Sequence, residues 1–219
     1  MIEAVLFDLD GTLADTAPDM ALTVNRMLER RGLAPVAAAK VRPHVSKGAR
    51  GMIGAAFGIG SEHEDFAGLR EEFLDLYAEN LSVGTCLFPE MAELLDGFDA
   101  DGIPWGVVTN KFERFAIPVI AGLGLALRSR VVVGGDTCPR PKPFPDPLLL
   151  AAATLGVAPR STLYVGDDER DVQAARAAGM PVLVAGYGYL GDGNPPNLWG
   201  ADGIVESPAG VRAWMRENA

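Results

Sequence analysis

The sequence predicts an α/β fold: a doubly wound, mostly parallel sheet with a small helical domain inserted after the first strand. Short β-rich apolar runs alternate with helix-patterned segments, the order expected of a parallel sheet built through helical crossovers. These runs lack polar alternation, as strands covered on both faces do. About a hundred residues separate the first run from the second, far more than an ordinary crossover needs, and no convincing strand lies between them.

The strand candidates are Ile2–Phe7, Trp105–Val108, Arg130–Val133, Thr162–Val165, Pro181–Ala185 and a weaker Gly203–Val205. The long interval places a helical insert at residues 17–83 and a core at residues 1–16 and 84–219. Within the insert, Met20, Val24, Met27 and Leu28 share one helical face over Pro18–Arg31, closed by Gly32. Ser61-x-x-Glu64 has the form of a capping box ahead of Phe66, Leu69, Phe73, Leu76 and Tyr77. Gly58–Ser61, Thr85–Pro89 and Gly191–Pro196 read as loops.

At 219 residues, with 48% hydrophobic and 22% charged residues, the chain suits one domain carrying an insert, with ample core. A net charge of −10 repels polyanions, so nucleic acid and anionic membranes are poor partners. Cys86 and Cys138 stand far apart with no CxxC, which suits a reducing cytoplasm and no zinc cluster. The start has no basic segment ahead of its apolar run, and the longest apolar stretch, Leu148 to Ala158, is too short to span a bilayer. Oligomeric state is not legible.

Chemistry concentrates where the apolar runs end, which in open α/β sheets is where ligands bind. Asp8-Leu9-Asp10-Gly11-Thr12-Leu13 puts two carboxylates on one side of an extended strand, with Gly11 allowing a sharp turn. Such a pair repels, which suggests either a shared proton or a hard divalent cation. Gly166-Asp167-Asp168-Glu169-Arg170-Asp171 closes another run, and Asp167 and Asp171 are placed to join the first pair around a cation. Acids opening a helix are also favourable with its dipole alone. Thr109-Asn110-Lys111 offers a hydroxyl, an amide and backbone N–H groups for a phosphate oxygen, and Lys142 is pinned among prolines from Pro139 to Pro147. In the insert, Lys47 and Arg50 flank a glycine and suit a substrate carboxylate, or simply solvent.

Three other signals are set aside. Gly186-Tyr187-Gly188-Tyr189-Leu190-Gly191 has the letters of a dinucleotide loop, but prolines follow it in place of a helix. His44 and His63 lack a second histidine at ligand spacing. Tyr187, Tyr189 and Trp199 follow a core strand, where aromatics more often pack than line a site.

Read in order, Asp8-x-Asp10-x-Thr12, Thr109-Asn110, Lys142 and Gly166-Asp167-x-x-x-Asp171 resemble the four motifs of the haloacid dehalogenase-like hydrolase superfamily across essentially the whole chain. The insert resembles that superfamily's small helical cap, and the core its Rossmann-like sheet. The broad resemblance is to phosphoglycolate phosphatases. Gly186-Tyr187-Gly188-Tyr189 and Asn197-Leu198-Trp199-Gly200-Ala201-Asp202 are also similar to N-acetylmuramic acid 6-phosphate phosphatases.

The resemblance implies a phosphatase acting on a small phosphorylated metabolite with Mg²⁺ as cofactor. It makes Asp8 the nucleophile that forms an aspartyl phosphate and Asp10 the acid and base. Lys142 and Thr109 become catalytic partners that hold phosphoryl oxygens, together with the backbone near Gly11 and Asn110. Asp8, the Asp10 carbonyl and Asp167 become metal ligands, with Asp171 behind them. Asp168 stands where many relatives carry a small polar residue, so the choice among Asp167, Asp168 and Asp171 stays open. Two rivals remain: a sugar phosphomutase sharing the aspartyl phosphate, and a non-catalytic phospho-switch module.

Overall fold

The computed structural model describes residues 1–218. Its main sheet has six strands: β1 (Ala4–Phe7), β4 (Trp105–Val108), β5 (Val132–Val133), β6 (Thr162–Gly166), β7 (Val182–Ala185) and β8 (Gly203–Val205). They lie in the order β5-β4-β1-β6-β7-β8, and every neighbouring pair is parallel. β1 is therefore central, and its carboxyl end, where Asp8 follows, opens between the ends of β4 and β6.

Successive strand residues enter two different cores, as a period of two requires. Val5, Phe7, Val107 and Val165 join one core with Phe98 of α5 (Met91–Asp101), Val119 of α6 (Glu113–Gly122) and Val211 of α9 (Pro208–Glu217). Leu6, Val108 and Tyr164 join the other with Leu148 of α7 (Asp146–Leu155) and Val172 of α8 (Glu169–Ala178). Burial on both faces explains why these strands read as unbroken apolar runs.

Between the first two main-sheet strands the chain forms α1 (Ala17–Glu29), α2 (Ala38–Val41), a 3₁₀ turn at Arg42–Lys47, α3 (Gly48–Phe57) and α4 (Phe66–Ala78). Val24 and Met27 of α1, Met52 and Ile53 of α3, and Leu69 and Phe73 of α4 belong to the same apolar cluster, continuous with the α5 side of the sheet. Tyr77 stacks on Phe73 at 5.9 Å and meets Phe115 of α6 at 5.6 Å, ring centre to ring centre. Among the described residues, no helix is long and apolar enough to cross a membrane.

Two expectations fail here. The interval does contain strands: β2 (Ala14–Asp15) and β3 (Cys86–Leu87) pair antiparallel where the chain leaves and re-enters the core, although Thr85–Pro89 reads as loop. Two residues are too few to show a period. Nor does Ser61 cap α4: the helix begins at Phe66, and Ser61 Oγ donates to Glu62 instead.

The crossing is fastened by charge. Buried Asp19 accepts hydrogen bonds from the backbone N–H groups of Val83, Gly84 and Thr85 and from the Thr85 hydroxyl. Tyr189 Oη accepts from the N–H groups of Thr16 and Ala17 and donates to Asp15, which also pairs with Arg42 at 2.8 Å.

Candidate active site

Asp8 ends β1, Thr109 ends β4, and Asp167 follows β6, so three neighbouring parallel strands deliver their residues to one edge of the sheet. Gly11 turns the chain there with φ +88°, and a Cβ at that position would strike the Asp167 carboxylate and the Tyr189 ring. Only glycine satisfies both demands.

Lys142 is the hub. It is 3% exposed, and its ammonium lies 3.0 Å from Asp8 Oδ1 and 2.7 Å from Asp171 Oδ1, with Val108 O and Tyr164 Oη also in range. Burial alone would pull its pKa down, but Asp171 and Asp8 outweigh that and hold it above the ordinary lysine value. Asn110 Nδ2 donates to the Lys142 carbonyl at 2.8 Å, tying the proline-rich loop to the end of β4.

Asp8 accepts from Leu9 N and from Lys142, both at Oδ1. Burial raises its pKa to about 6, with Lys142 opposing and Asp171 and Asp10 reinforcing the rise. Asp167 is fully buried and bonded only to neutral donors, the Thr12 hydroxyl and Tyr189 N–H. Burial, then repulsion from Asp8 and Asp171, pushes its pKa well above the usual carboxylate range. Carboxylate oxygens of Asp8, Asp167 and Asp171 lie within 4.8 Å of one another.

These residues fit a hard divalent cation. The donors are all carboxylate oxygens. Four carboxylates, Asp8, Asp10, Asp167 and Asp171, share only two ammonium groups, Lys111 and Lys142, so the cluster is short of positive charge by about one divalent ion. Asp10 does not bring its carboxylate to that triad. Its Oδ1 accepts from Thr16 Oγ1 at 2.5 Å and from Lys111 Nζ at 2.8 Å. Any metal contact from Asp10 would therefore come through its main chain.

Asp168 has a structural role of its own. Its side chain accepts from Arg170 N as the N-cap of α8, completes a capping box with Asp171 and pairs with the Arg170 guanidinium at 2.7 Å. It stands outside the acidic triad, with both carboxylate oxygens engaged by Arg170, although it borders the same cavity. The helix-cap role the sequence also allowed is the one the structure places there.

Over these groups lies a cavity of about 250 Å³. Asp8, Asp10, Thr109, Asn110 and Lys142 line it from the core, and Lys47, Arg50 and Tyr77 from the insert. Lys47 pairs with Asp192, a contact from insert to core, whereas Arg50 has no ion pair among the described residues. A second arginine on the cavity, Arg70, carries no expectation from the sequence. Tyr187, Tyr189 and Trp199 are not on this wall, in keeping with packing roles.

Lys111 is the main residue the sequence leaves unassigned. It adjoins Thr109-Asn110, its side chain is 6% exposed, and its ammonium meets Asp10, 101 positions away, while lying 4.8 Å from the Tyr77 ring centre. Its place right after the β4 motif was the available signal.

Residues 5–185 match the haloacid dehalogenase-like hydrolase family. The chain belongs to that family. Among its relatives, an N-acetylmuramic acid 6-phosphate phosphatase of Pseudomonas aeruginosa is 46% identical over 207 residues, covering 94% of this chain and 92% of the relative. A phosphoglycolate phosphatase of Xanthomonas campestris pv. campestris is 49% identical over 209 residues, with the same coverage of 94% and 92%. The crystal structure of a predicted phosphoglycolate phosphatase from Haemophilus somnus superposes with TM-score 0.84 at 28% identity, over 98% of both chains. This hydrolase is thus an enzyme of the family's phosphatases.

Proposed function

We propose that this hydrolase is a Mg²⁺-dependent phosphomonoesterase that works through an aspartyl phosphate on Asp8. Its substrate is a small carboxylate-bearing phosphomonoester, with N-acetylmuramic acid 6-phosphate ahead of 2-phosphoglycolate. The observation that carries the chemistry is the convergence of the Asp8 carboxylate, the Lys142 ammonium and the Asp10 carboxylate on one cavity. A nucleophile, a cation for the phosphoryl oxygens and a group able to pass a proton then stand together.

Asp8 Oδ2, which has no hydrogen-bond donor among the described residues, attacks phosphorus as the bond to the leaving oxygen breaks. Asp10 gives that oxygen its proton, then takes one from the water that attacks the aspartyl phosphate, releasing inorganic phosphate. Lys142 and Thr109, with the N–H groups near Gly11 and Asn110, hold the phosphoryl oxygens. Asp8 and Asp167 would hold Mg²⁺ with the Asp10 carbonyl, Asp171 behind them, and the ion would offset charge on the phosphoryl group. Residues 17–83 serve as the cap that closes over the leaving group and excludes water. Cys86 and Cys138 are unpaired, which supports a reducing cytoplasm as the place of work.

The choice of substrate rests on the cavity. At about 250 Å³ it offers more room than a two-carbon acid needs. Met20, Phe73 and Leu74 give it an apolar wall suited to a sugar ring, and Arg50 and Arg70 suit a carboxylate away from the phosphate. Phosphate release from both compounds, measured in parallel with Mg²⁺, is expected to favour N-acetylmuramic acid 6-phosphate in kcat/KM by at least about tenfold. Preference for 2-phosphoglycolate would overturn the substrate, and an isomerised sugar phosphate in place of free phosphate would make the protein a mutase.

The metal assignment has its own readout. Mg²⁺ at a hundred times its Kd is expected to stabilise the fold by about 2.7 kcal/mol. Asp167→Asn should abolish most of the resulting rise in Tm, while Asp168→Asn should keep it. The opposite pattern would make Asp168, not Asp167, the metal ligand.

A further inference from the structure

Four buried side-chain polar atoms lack a hydrogen-bond partner among the described residues: Ser46 Oγ, Tyr77 Oη, Ser82 Oγ and Asn110 Oδ1. Leaving such an atom unpaired costs about 1–3 kcal/mol, and native proteins keep few of them. Ser46, Tyr77 and Asn110 all belong to the wall of the cavity over Asp8 and Asp10, and Ser82 does not. Ser46 and Tyr77 come from the insert, Asn110 from the end of β4, so the unpaired atoms sit on both sides of the space where the leaving group must lie.

Tyr77 is the sharpest case. It is 2% exposed, its ring is held by Phe73 and Phe115, and its hydroxyl faces the Lys111 ammonium, which can only donate, so the hydroxyl proton has no acceptor among the described residues. Burial raises the pKa of that hydroxyl, which keeps it a donor. Asn110 carries a different message. Its amide nitrogen already donates to the Lys142 carbonyl, which fixes the amide orientation and leaves Oδ1 as an acceptor only. Neither a phosphoryl group nor a carboxylate has a hydrogen to give it.

We infer that Tyr77, with Ser46 and Asn110, reads the leaving group, and that this group carries hydroxyl or amide N–H donors as well as acceptors. The inference rests on the phosphatase reading and deepens it: the three residues are specificity determinants for the alcohol, while Asp8, Asp10 and Lys142 handle the phosphate. A simple two-carbon acid would leave the Asn110 oxygen unpaired.

The test is Tyr77→Phe, which deletes one oxygen and keeps the ring contacts. Wild type and variant are assayed with Mg²⁺ on N-acetylmuramic acid 6-phosphate and glucose 6-phosphate, which carry donors, and on phenyl phosphate and p-nitrophenyl phosphate, whose leaving groups carry none besides the ester oxygen. The ratio of kcat/KM on the first pair to that on the second is expected to fall about five- to tenfold, the worth of one hydrogen bond to substrate. Tm should stay nearly level, because the ring contacts with Phe73 and Phe115 are kept. Ser82→Ala, which removes the unpaired atom away from the cavity, should leave the ratio alone. An unchanged ratio in Tyr77→Phe, or a wild type that turns over only the donor-free esters, overturns the inference while leaving the phosphatase reading intact. Wild-type inactivity on all four esters with turnover of 2-phosphoglycolate overturns the inference alone, and inactivity on 2-phosphoglycolate as well sinks the phosphatase reading and the inference with it.

Discussion

Asp8→Asn is expected to lower phosphate release by at least about a thousandfold with the fold intact. The amide cannot form the acyl phosphate, and no neighbour can replace it: Asp10 is engaged by Thr16 and Lys111, Asp171 by Lys142, and Asp167 is fully buried. The variant should not be less stable without metal. Burial and its acidic neighbours already raise the Asp8 pKa to about 6, so its charge at neutral pH is held at a cost that the amide avoids. Single-turnover phosphate release and thermal unfolding of the same preparation check both halves. Near-normal turnover in the variant would remove Asp8 from the nucleophile's role, and lost activity with a collapsed Tm would mean only a broken fold.

The parts of this structure that the sequence made legible are those where one physical demand acts on neighbouring residues. Val5, Leu6 and Phe7 read as a buried strand because both faces of the sheet are covered, and the acids at its end stand out against that run. Asp8, Thr109, Lys142, Asp167 and Asp171 could be named before their geometry because each sits in a short, unusual string. The cavity brings residues of all four motif segments together with Lys47 and Arg50 of the insert. What was not legible depends on partners distant in sequence. Lys111 needs Asp10 and Tyr77 beside it before it means anything. Tyr77 reads as one more apolar member of a helix face, and so its ring is, while the unpaired hydroxyl is visible only in three dimensions. Asp168 shows the converse: a local rule, the N-cap, decided a residue that the motif left open.

Lys142→Met should be the most damaging substitution for stability. The side chains are similar in length, so packing is nearly kept and the loss is one of charge. Lys142 stands between Asp8 and Asp171 with both within 3.0 Å, and removing it leaves buried carboxylates with no cation in contact. Breaking a buried ion pair from one side costs about 3–5 kcal/mol. For a chain of this size that lowers Tm by on the order of 10 °C. The sign with pH follows from the lysine's raised pKa: its stabilising charge is fully present at pH 7 and is lost only as pH climbs past the free-lysine value of 10.5. Thermal unfolding of wild type and variant without metal should therefore differ most near neutral pH. The gap should narrow towards pH 4, below the Asp8 pKa that burial raises to about 6, where Asp8 takes up its proton and no longer needs the lysine. Mg²⁺ should recover part of the loss in the variant by supplying positive charge to the same cluster, but not its turnover, because the phosphoryl oxygens still lack their ammonium partner. An equal Tm for the two proteins at pH 7 would show that Asp8 and Asp171 do not depend on Lys142, and would remove the lysine from the centre of the site.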